Sequence, residues 1–193
     1  MVNKKIFIAS ISSLLLGISA LVSPVKGDMP DAGSAPAPYP KAAVFNHQYE
    51  FLGKAPHVDD GIVFKPSPAN WKKGRKVSVL WSLTKTEMRK FYKQGVYFRL
   101  YIDWNHDGDW DDAGEMVIDS HKGKSKIDKR RNKFREKFVV PCHTQNSPFW
   151  ARAWVSYGYP SPAFGNISTS FGEIEDYNLI PCENNAIIIS RKN

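Results

Sequence analysis

Hydrophobic and polar residues alternate in several short stretches of the chain. In residues 76–83 apolar side chains occupy the odd positions, and residues 151–157 alternate in the same way. Residues 96–102 are rich in β-branched and aromatic side chains. A period of two is typical of a strand with one buried face. The pattern therefore predicts a β-strand in each of these three stretches.

Shorter apolar runs between Gly, Pro and Asp residues predict further strands. They occupy residues 44–53, 62–64, 116–118, 133–140 and 171–180. Seven or eight short strands without regularly alternating helices are typical of an all-β fold. We therefore expect an antiparallel β-sandwich that resembles a jelly roll.

One stretch departs from the period of two. Thr84 and Glu87 have the spacing of a capping box, apolar residues follow at helical spacing, and Gly95 is a typical C-terminal stop. These features predict one short helix over residues 85–94, inserted between strands and docked on the sheet.

The N-terminus has the pattern of an export signal. Lys4 and Lys5 precede an apolar segment of residues 6–22, and small residues stand three positions and one position before a cleavage site that follows Gly27. We expect a secreted or periplasmic protein; the alternative is an uncleaved anchor, because the segment is close to spanning length. The chain then divides into a signal peptide, a folded domain and a polar tail, residues 1–27, 28–182 and 183–193.

The two cysteines, Cys142 and Cys182, are interpreted in the light of export. In an oxidising compartment a disulfide is the default expectation. Closing a loop of about 40 residues would contribute about 3–4 kcal/mol in the chain-entropy model. Two buried thiols are the alternative.

The chain is basic, with a formal net charge of +8, of which three lysines belong to the predicted signal. Many of the basic residues are concentrated in one segment, which suggests that this segment contacts an anionic polymer or glycan. The alternatives are that the segment is only a solvated loop or that it contacts a protein partner. We expect no stable membrane insertion after signal cleavage, and the oligomeric state stays open. The candidate contact residues are Lys124, Lys126, Lys129, Arg130, Arg131 and Lys133.

Acidic side chains recur at every second residue after the strand 96–102. Oxygen-bearing side chains stand at Asp103, Asn105, Asp107, Asp109 and Asp111, with Gly108 at the sixth place. This is the beginning of a calcium-loop pattern, in which a tightly curled chain directs hard oxygens at one ion. The glutamate, Glu115, comes at place thirteen instead of twelve, and the preceding stretch is a strand. We therefore expect a Ca²⁺ loop on a β-strand; a solvated, metal-free turn is the alternative.

The acidic stretch and a second motif, residues 172–177, together resemble the GEVED domain of secreted and surface bacterial proteins. The family is named after its closing motif, Gly-Glu-Val-Glu-Asp. The second motif of this chain, Gly-Glu-Ile-Glu-Asp-Tyr, differs from it only in having Ile174 in place of valine. The resemblance covers residues 28–180. It implies an extracellular β-sandwich with a calcium site, usually a non-catalytic part of a larger protein.

The closing motif suggests further ligands, because three acids in an apolar strand carry a desolvation cost. We expect this motif to lie against the acidic stretch and share its ion. The alternative is that these acids cap loops or pair with Arg152. The complete candidate metal set is Asp103, Asn105, Asp107, Asp109, Asp111, Glu115, Glu173, Glu175 and Asp176.

These features suggest an exported, non-catalytic binding or adhesion module with a structural calcium ion and a basic contact surface. The alternative is a secreted, calcium-dependent hydrolase acting on a polymer. The sequence has no nucleophile elbow, no His-Glu-x-x-His zinc motif and no recognisable Ser/His/Asp spacing. We therefore name no catalytic residue.

Overall fold

The computed structural model describes residues 33–44, 50–55, 58–85, 95–122, 133–141, 148–157, 168–169 and 172–179. Several predictions lie outside these residues. They concern the signal peptide 1–27, the tail 183–193, both cysteines and residues 86–94 of the predicted helix.

The described part of the chain contains ten β-strands and one 3₁₀ turn, Pro68–Asn70. The strands are β1 (Ala43–Val44), β2 (Glu50–Leu52), β3 (Ile62–Lys65), β4 (Lys76–Lys85), β5 (Val96–Ile102), β6 (Met116–Lys122), β7 (Lys133–Val139), β8 (Phe149–Tyr157), β9 (Ser168–Thr169) and β10 (Gly172–Leu179). No helix within these described ranges is long and apolar enough to cross a bilayer.

The first sheet has the strand order β10-β8-β5-β6, and all its pairs are antiparallel. Strand β8 pairs with β10 on one side and β5 on the other, so its register aligns the two. Asp176 lies opposite Arg152, which lies opposite Tyr101. The closing motif and the strand leading into the acidic stretch therefore belong to one sheet, separated by a single strand.

The second sheet is built around β4. This strand pairs antiparallel with β3 and β7 along the same stretch and with β2 at its C-terminal end. With four strands in each, the two antiparallel sheets form the β-sandwich that the alternating pattern predicted. Strands β1 and β9 form a separate parallel pair.

The predicted start of the helix is wrong. Lys85 is the last residue of β4, and Thr84 pairs with Phe51 of β2. The Thr84 hydroxyl donates to the carbonyl oxygen of Gly53. That hydroxyl therefore supports strand pairing, and the capping box is overridden by a contact with a segment 31 residues away.

The main core lies between the two sheets and joins side chains from both. Trp81 of β4 stacks on Phe98 of β5 with ring centroids 4.5 Å apart, and on Phe134 of β7 at 4.2 Å. Aromatic pairs of this kind add to the free energy gained from area burial. The odd-numbered apolar residues of β4 are all buried, as their spacing predicted.

An N-terminal segment, residues 33–44, packs over part of the outer face of the first sheet. Ala35 packs in one apolar cluster with Tyr101 and Trp110. Ala42 and Val44 form another with aromatic and aliphatic side chains of β8 and β10. Strand β8 is consequently buried on both faces from residue 151 to residue 157. Its alternation in sequence had indicated only one buried face.

Candidate functional site

The acidic loop, residues 103–115, connects β5 to β6 at one end of the first sheet. The N–H of Ile102 donates to the carbonyl oxygen of Glu115 at 2.9 Å, and the N–H of Asp103 donates to that of Trp150 at 3.0 Å. The base of the loop is thus fixed to both neighbouring strands. The two ends of the loop are therefore held at the same end of the sheet.

The loop curls tightly at its centre. His106 and Gly108 both have positive φ, 64° and 94°. A Cβ atom on Gly108 would lie 2.3 Å from Cγ of Pro38 in the N-terminal segment. Position 108 therefore requires glycine for two reasons, the backbone angle and the closeness of this segment.

Asp103 is completely buried, and both its carboxylate oxygens accept hydrogen bonds. Oδ1 accepts from the N–H of His106 at 2.6 Å, and Oδ2 accepts from the N–H of Gly108 at 3.2 Å. The hydroxyl of Tyr39 also donates to Oδ2. Asp103 thus organises the first turn of the loop and links it to the N-terminal segment.

Glu115 is also buried, at the other end of the loop. Its two oxygens accept from the N–H groups of Trp104 and Asp112, at 3.0 and 3.3 Å. The pKa of Glu115 is raised to about 7, mainly by burial and in part by the negative charges of Asp103 and Asp107, which together outweigh the effect of these hydrogen bonds. A cation beside this carboxylate would offset both causes.

Three loop side chains form a ladder of turns, each accepting from the N–H two residues later. The donor–acceptor distances are 3.3 Å for Asn105, 3.3 Å for Asp107 and 3.0 Å for Asp109. Asp111 at the end of the ladder is exposed. A hydrogen bond with Asp109 and the charge of that neighbour raise the pKa of Asp111. The alternate spacing therefore brings like charges together along one loop.

An open cleft of about 350 Å³ lies beside the loop, lined by Trp104, Asn105, Asp112, Ala113, Gly114, Glu115 and Pro141. The side-chain amide of Asn105 donates to Asp107 at 2.8 Å and also to Asp112. The amide hydrogens therefore lie between two carboxylates, a position that would also suit a cation. Asp112 was absent from the candidate metal set, although its place in the same acidic stretch could have indicated it.

The donor chemistry of the loop fits Ca²⁺, which prefers carboxylate and amide oxygens. In the described ranges, however, no three His, Cys, Asp or Glu side chains are grouped as ligands of one metal ion. Several loop oxygens instead accept hydrogen bonds from the loop's own N–H groups. The structure thus brings the candidate donors of residues 103–115 into one loop without converging them on one point.

The closing motif is not brought next to the acidic loop. The register places Glu173 level with Phe98 and Glu175 level with Leu100, two strands away, which is roughly 10 Å across the sheet. Both glutamates are buried. Glu173 accepts from the N–H of Leu52. The motif thus connects β10 with the neighbouring edge of the second sheet.

Glu175 accepts hydrogen bonds from the N–H groups of Gly61 and Asp60, at 3.1 and 3.3 Å, and from the hydroxyl of Tyr177. Burial raises the pKa of Glu175 to about 8. The Tyr177 hydroxyl in turn accepts from the N–H of Ile62 at 3.1 Å. This arrangement caps the turn before β3, which is one of the alternatives considered from the sequence.

Asp176 faces the opposite side of the sheet and pairs with Arg152, the other alternative. Arg152 Nε and Nη2 each lie 2.8 Å from a carboxylate oxygen of Asp176, and both side chains are fully buried. The guanidinium carbon also lies 4.2 Å from the ring centroid of Trp110 in the acidic loop. The closing motif and the acidic loop are therefore connected through Arg152.

The N-terminal segment completes this arrangement. The N–H of Ala35 donates to Asp176 at 2.9 Å, and Arg152 Nη1 donates to the carbonyl oxygen of Pro40 at 2.7 Å. Tyr39 packs on Trp110 with ring centroids 4.6 Å apart. Sequence reasoning missed the role of Tyr39, because a segment rich in Pro, Ala and Ser has no periodic signal.

The basic contact residues predicted from the sequence are described only in part. Lys133 is exposed at the start of β7. The other five, Lys124, Lys126, Lys129, Arg130 and Arg131, lie outside the described residues. The predicted disulfide between Cys142 and Cys182 also lies outside them and stays a prediction.

Comparison with protein-family models matches the GEVED domain to residues 97–180. The matched stretch runs from β5 through β10 and contains both the acidic loop and the closing motif. Comparison with curated proteins gives no match, and comparison with solved structures gives none.

Proposed function

Because residues 97–180 of this chain form a GEVED domain, we propose that the protein is an exported, non-catalytic binding module with a structural calcium ion in the acidic loop. The N-terminal signal pattern supports the export part of this proposal. The ion would stabilise the loop, and the surface of the sandwich would contact an anionic polymer or a glycan.

One observation supports the proposed calcium site. Asp103 and Glu115 are buried carboxylates at the two ends of one loop, and the pKa of Glu115 is raised to about 7 by burial and by its acidic neighbours. Burying several carboxylates together is unfavourable unless a cation compensates them.

The loop side chains that would hold the ion carry hard oxygen donors, which Ca²⁺ prefers. They are Asn105, Asp107, Asp112 and Glu115, with Asp103 at the base of the loop; Asp109 and Asp111 extend the acidic surface. Bound calcium would supply positive charge that neutralises these side chains. Asp103 would keep the loop curled through its contacts with backbone N–H groups.

The proposal is tested by thermal unfolding in EDTA and in about 10 mM calcium. With the dissociation constant of about 10⁻⁴–10⁻³ M typical of extracellular modules, this concentration adds about 1.4–2.7 kcal/mol of stability. For a chain of this size that is a rise of roughly 3–10 °C in Tm. Asp107→Asn should reduce the rise, and Asp119→Asn, on an exposed strand position, should leave it unchanged. The same Tm in EDTA and in calcium contradicts the calcium site.

A further inference from the structure

The outer face of the second sheet carries five exposed cationic side chains. They are Lys65 of β3, Lys76 of β4, and Lys133, Arg135 and Lys137 of β7. The described residues of these three strands include one acid, Glu136, and it points to the other side of β7, where it pairs with Lys122. We call these five residues the basic face.

The register gives the basic face its geometry. Arg135 lies opposite Leu80, which lies opposite Val63, and Lys137 is aligned with Lys65 across Ser78. Residues on one face of a strand are roughly 7 Å apart, and neighbouring strands are roughly 4.8 Å apart. The three cations of β7 therefore form a straight line, with Lys65 roughly 10 Å to the side.

The described part of the fold gives these charges no acidic partner. Within the described ranges none of the five forms an ion pair with a carboxylate. Like charges on one sheet face repel one another and reduce stability. Lysine on an edge strand can prevent unwanted strand pairing, but Lys76 lies on the central strand β4, where that reason does not apply. An external polyanion would be attracted to these cations and would compensate the repulsion among them.

We propose that the basic face is the contact surface for a linear acidic polysaccharide, bound through its carboxylate or sulfate groups. This inference builds on the proposed function by naming the partner of the binding module. Single-stranded nucleic acid is bound by proteins that add exposed aromatic platforms to a basic groove. The exposed large apolar side chains on β3, β4 and β7 are Val63 and Val139, and these strands expose no aromatic ring. Besides its charges, the face offers the hydroxyls of Ser78 and Ser82.

The test measures binding of the purified protein to a heparin dodecasaccharide, a single-stranded DNA 12-mer and neutral dextran. Heparin should bind most tightly, its affinity should fall as salt rises, and dextran should not bind. Charge reversal in Arg135→Glu/Lys137→Glu should weaken heparin binding about tenfold or more at low salt. Lys72→Glu/Lys73→Glu makes the same change in net charge at an exposed turn outside the face, and it should weaken binding far less.

Equal losses in the two double variants overturn the inference, because net charge alone would then explain binding. Tighter binding of DNA than of heparin overturns the assignment to a polysaccharide. Each variant is first checked for an unchanged Tm, which keeps a folding defect separate from lost binding. Measurements in EDTA and in calcium separate this inference from the calcium site: heparin binding without a calcium effect on Tm supports the basic face and contradicts the ion.

Discussion

The hydroxyl of Tyr39 donates a hydrogen bond to the buried carboxylate of Asp103, across 64 positions of sequence. Tyr39 belongs to the N-terminal segment and Asp103 is the first residue of the acidic loop. Burial and the neighbouring carboxylate of Asp103 raise the pKa of Tyr39, so the hydroxyl keeps its proton and stays a donor. The contact makes the shape of the loop dependent on the docking of residues 33–44.

Tyr39→Phe should destabilise the chain by about 1–2 kcal/mol, because a buried carboxylate loses one donor. Asp103 keeps two backbone donors, which limits the loss. Calcium affinity should also decrease, since the first acid of the loop is held less firmly. Urea unfolding and calorimetric titration measure the two effects. Tyr97→Phe, at a half-buried position of β5, is the matched control and should stay within about 0.5 kcal/mol of the parent.

Glu115→Gln should have opposite effects with and without calcium. In EDTA at pH 8 the variant should be at least as stable as the parent, because an amide carries no charge to be desolvated. In calcium the parent should gain stability and the variant should gain much less. Thermal unfolding under the four conditions measures this, and a parallel gain in both proteins removes Glu115 from the site.

Arg152→Met should cost about 3–5 kcal/mol, because it leaves the buried carboxylate of Asp176 without its charge partner. Adding Asp176→Asn to that variant should recover part of the loss, since the uncompensated charge is removed. Urea unfolding of the single and double variants measures the coupling. The partly exposed pair of Arg99 and Asp119 is the control, and Arg99→Met should cost about 0–1 kcal/mol.

Because of Glu175, the folded protein should become less stable as the pH rises. Burial raises its pKa from 4.5 to about 8, so between these values the folded chain holds a proton that the unfolded chain releases. This contribution is complete below pH 4.5 and lost as pH rises through 8, with a slope of up to about 1.4 kcal/mol per pH unit.

Glu175→Gln removes this titration and keeps the shape of the side chain. In EDTA, its stability relative to the parent should be constant below pH 4.5 and should increase steadily toward pH 8. Denaturant unfolding at intervals of one pH unit measures the difference. A constant difference over the whole range means that Glu175 does not hold its proton in the folded chain.

The alternating hydrophobic pattern was sufficient to predict the β-sandwich, because alternation is a local property of a strand with one buried face. Strand β4 shows this most clearly, with buried residues at each odd position from 77 to 83. The helix prediction was wrong at its first residue because Thr84 bonds with Gly53, a partner that local spacing cannot reveal.

The sequence also located the acidic loop, since its spacing is contained within thirteen residues. It did not reveal that Arg152 is buried. Arg152 alternates with the alanines of β8, a position that indicates solvent exposure. What buries it is the N-terminal segment, whose contacts with β8 and β10 span more than 100 residues and leave no periodic signal.

The separation of these partners has a consequence for biosynthesis. Residues 33–44 leave the ribosome early, but their hydrogen-bond partners are made much later. Ala35 bonds to Asp176, which lies 141 residues further along the chain, and Pro40 bonds to Arg152, 112 residues further along. Contacts between residues this far apart in sequence carry a loop-closure cost, and folds that depend on such contacts form more slowly. The outer face of the first sheet can therefore be sealed only after nearly the whole chain has been made, and a nascent chain stalled before β10 should remain open to protease there.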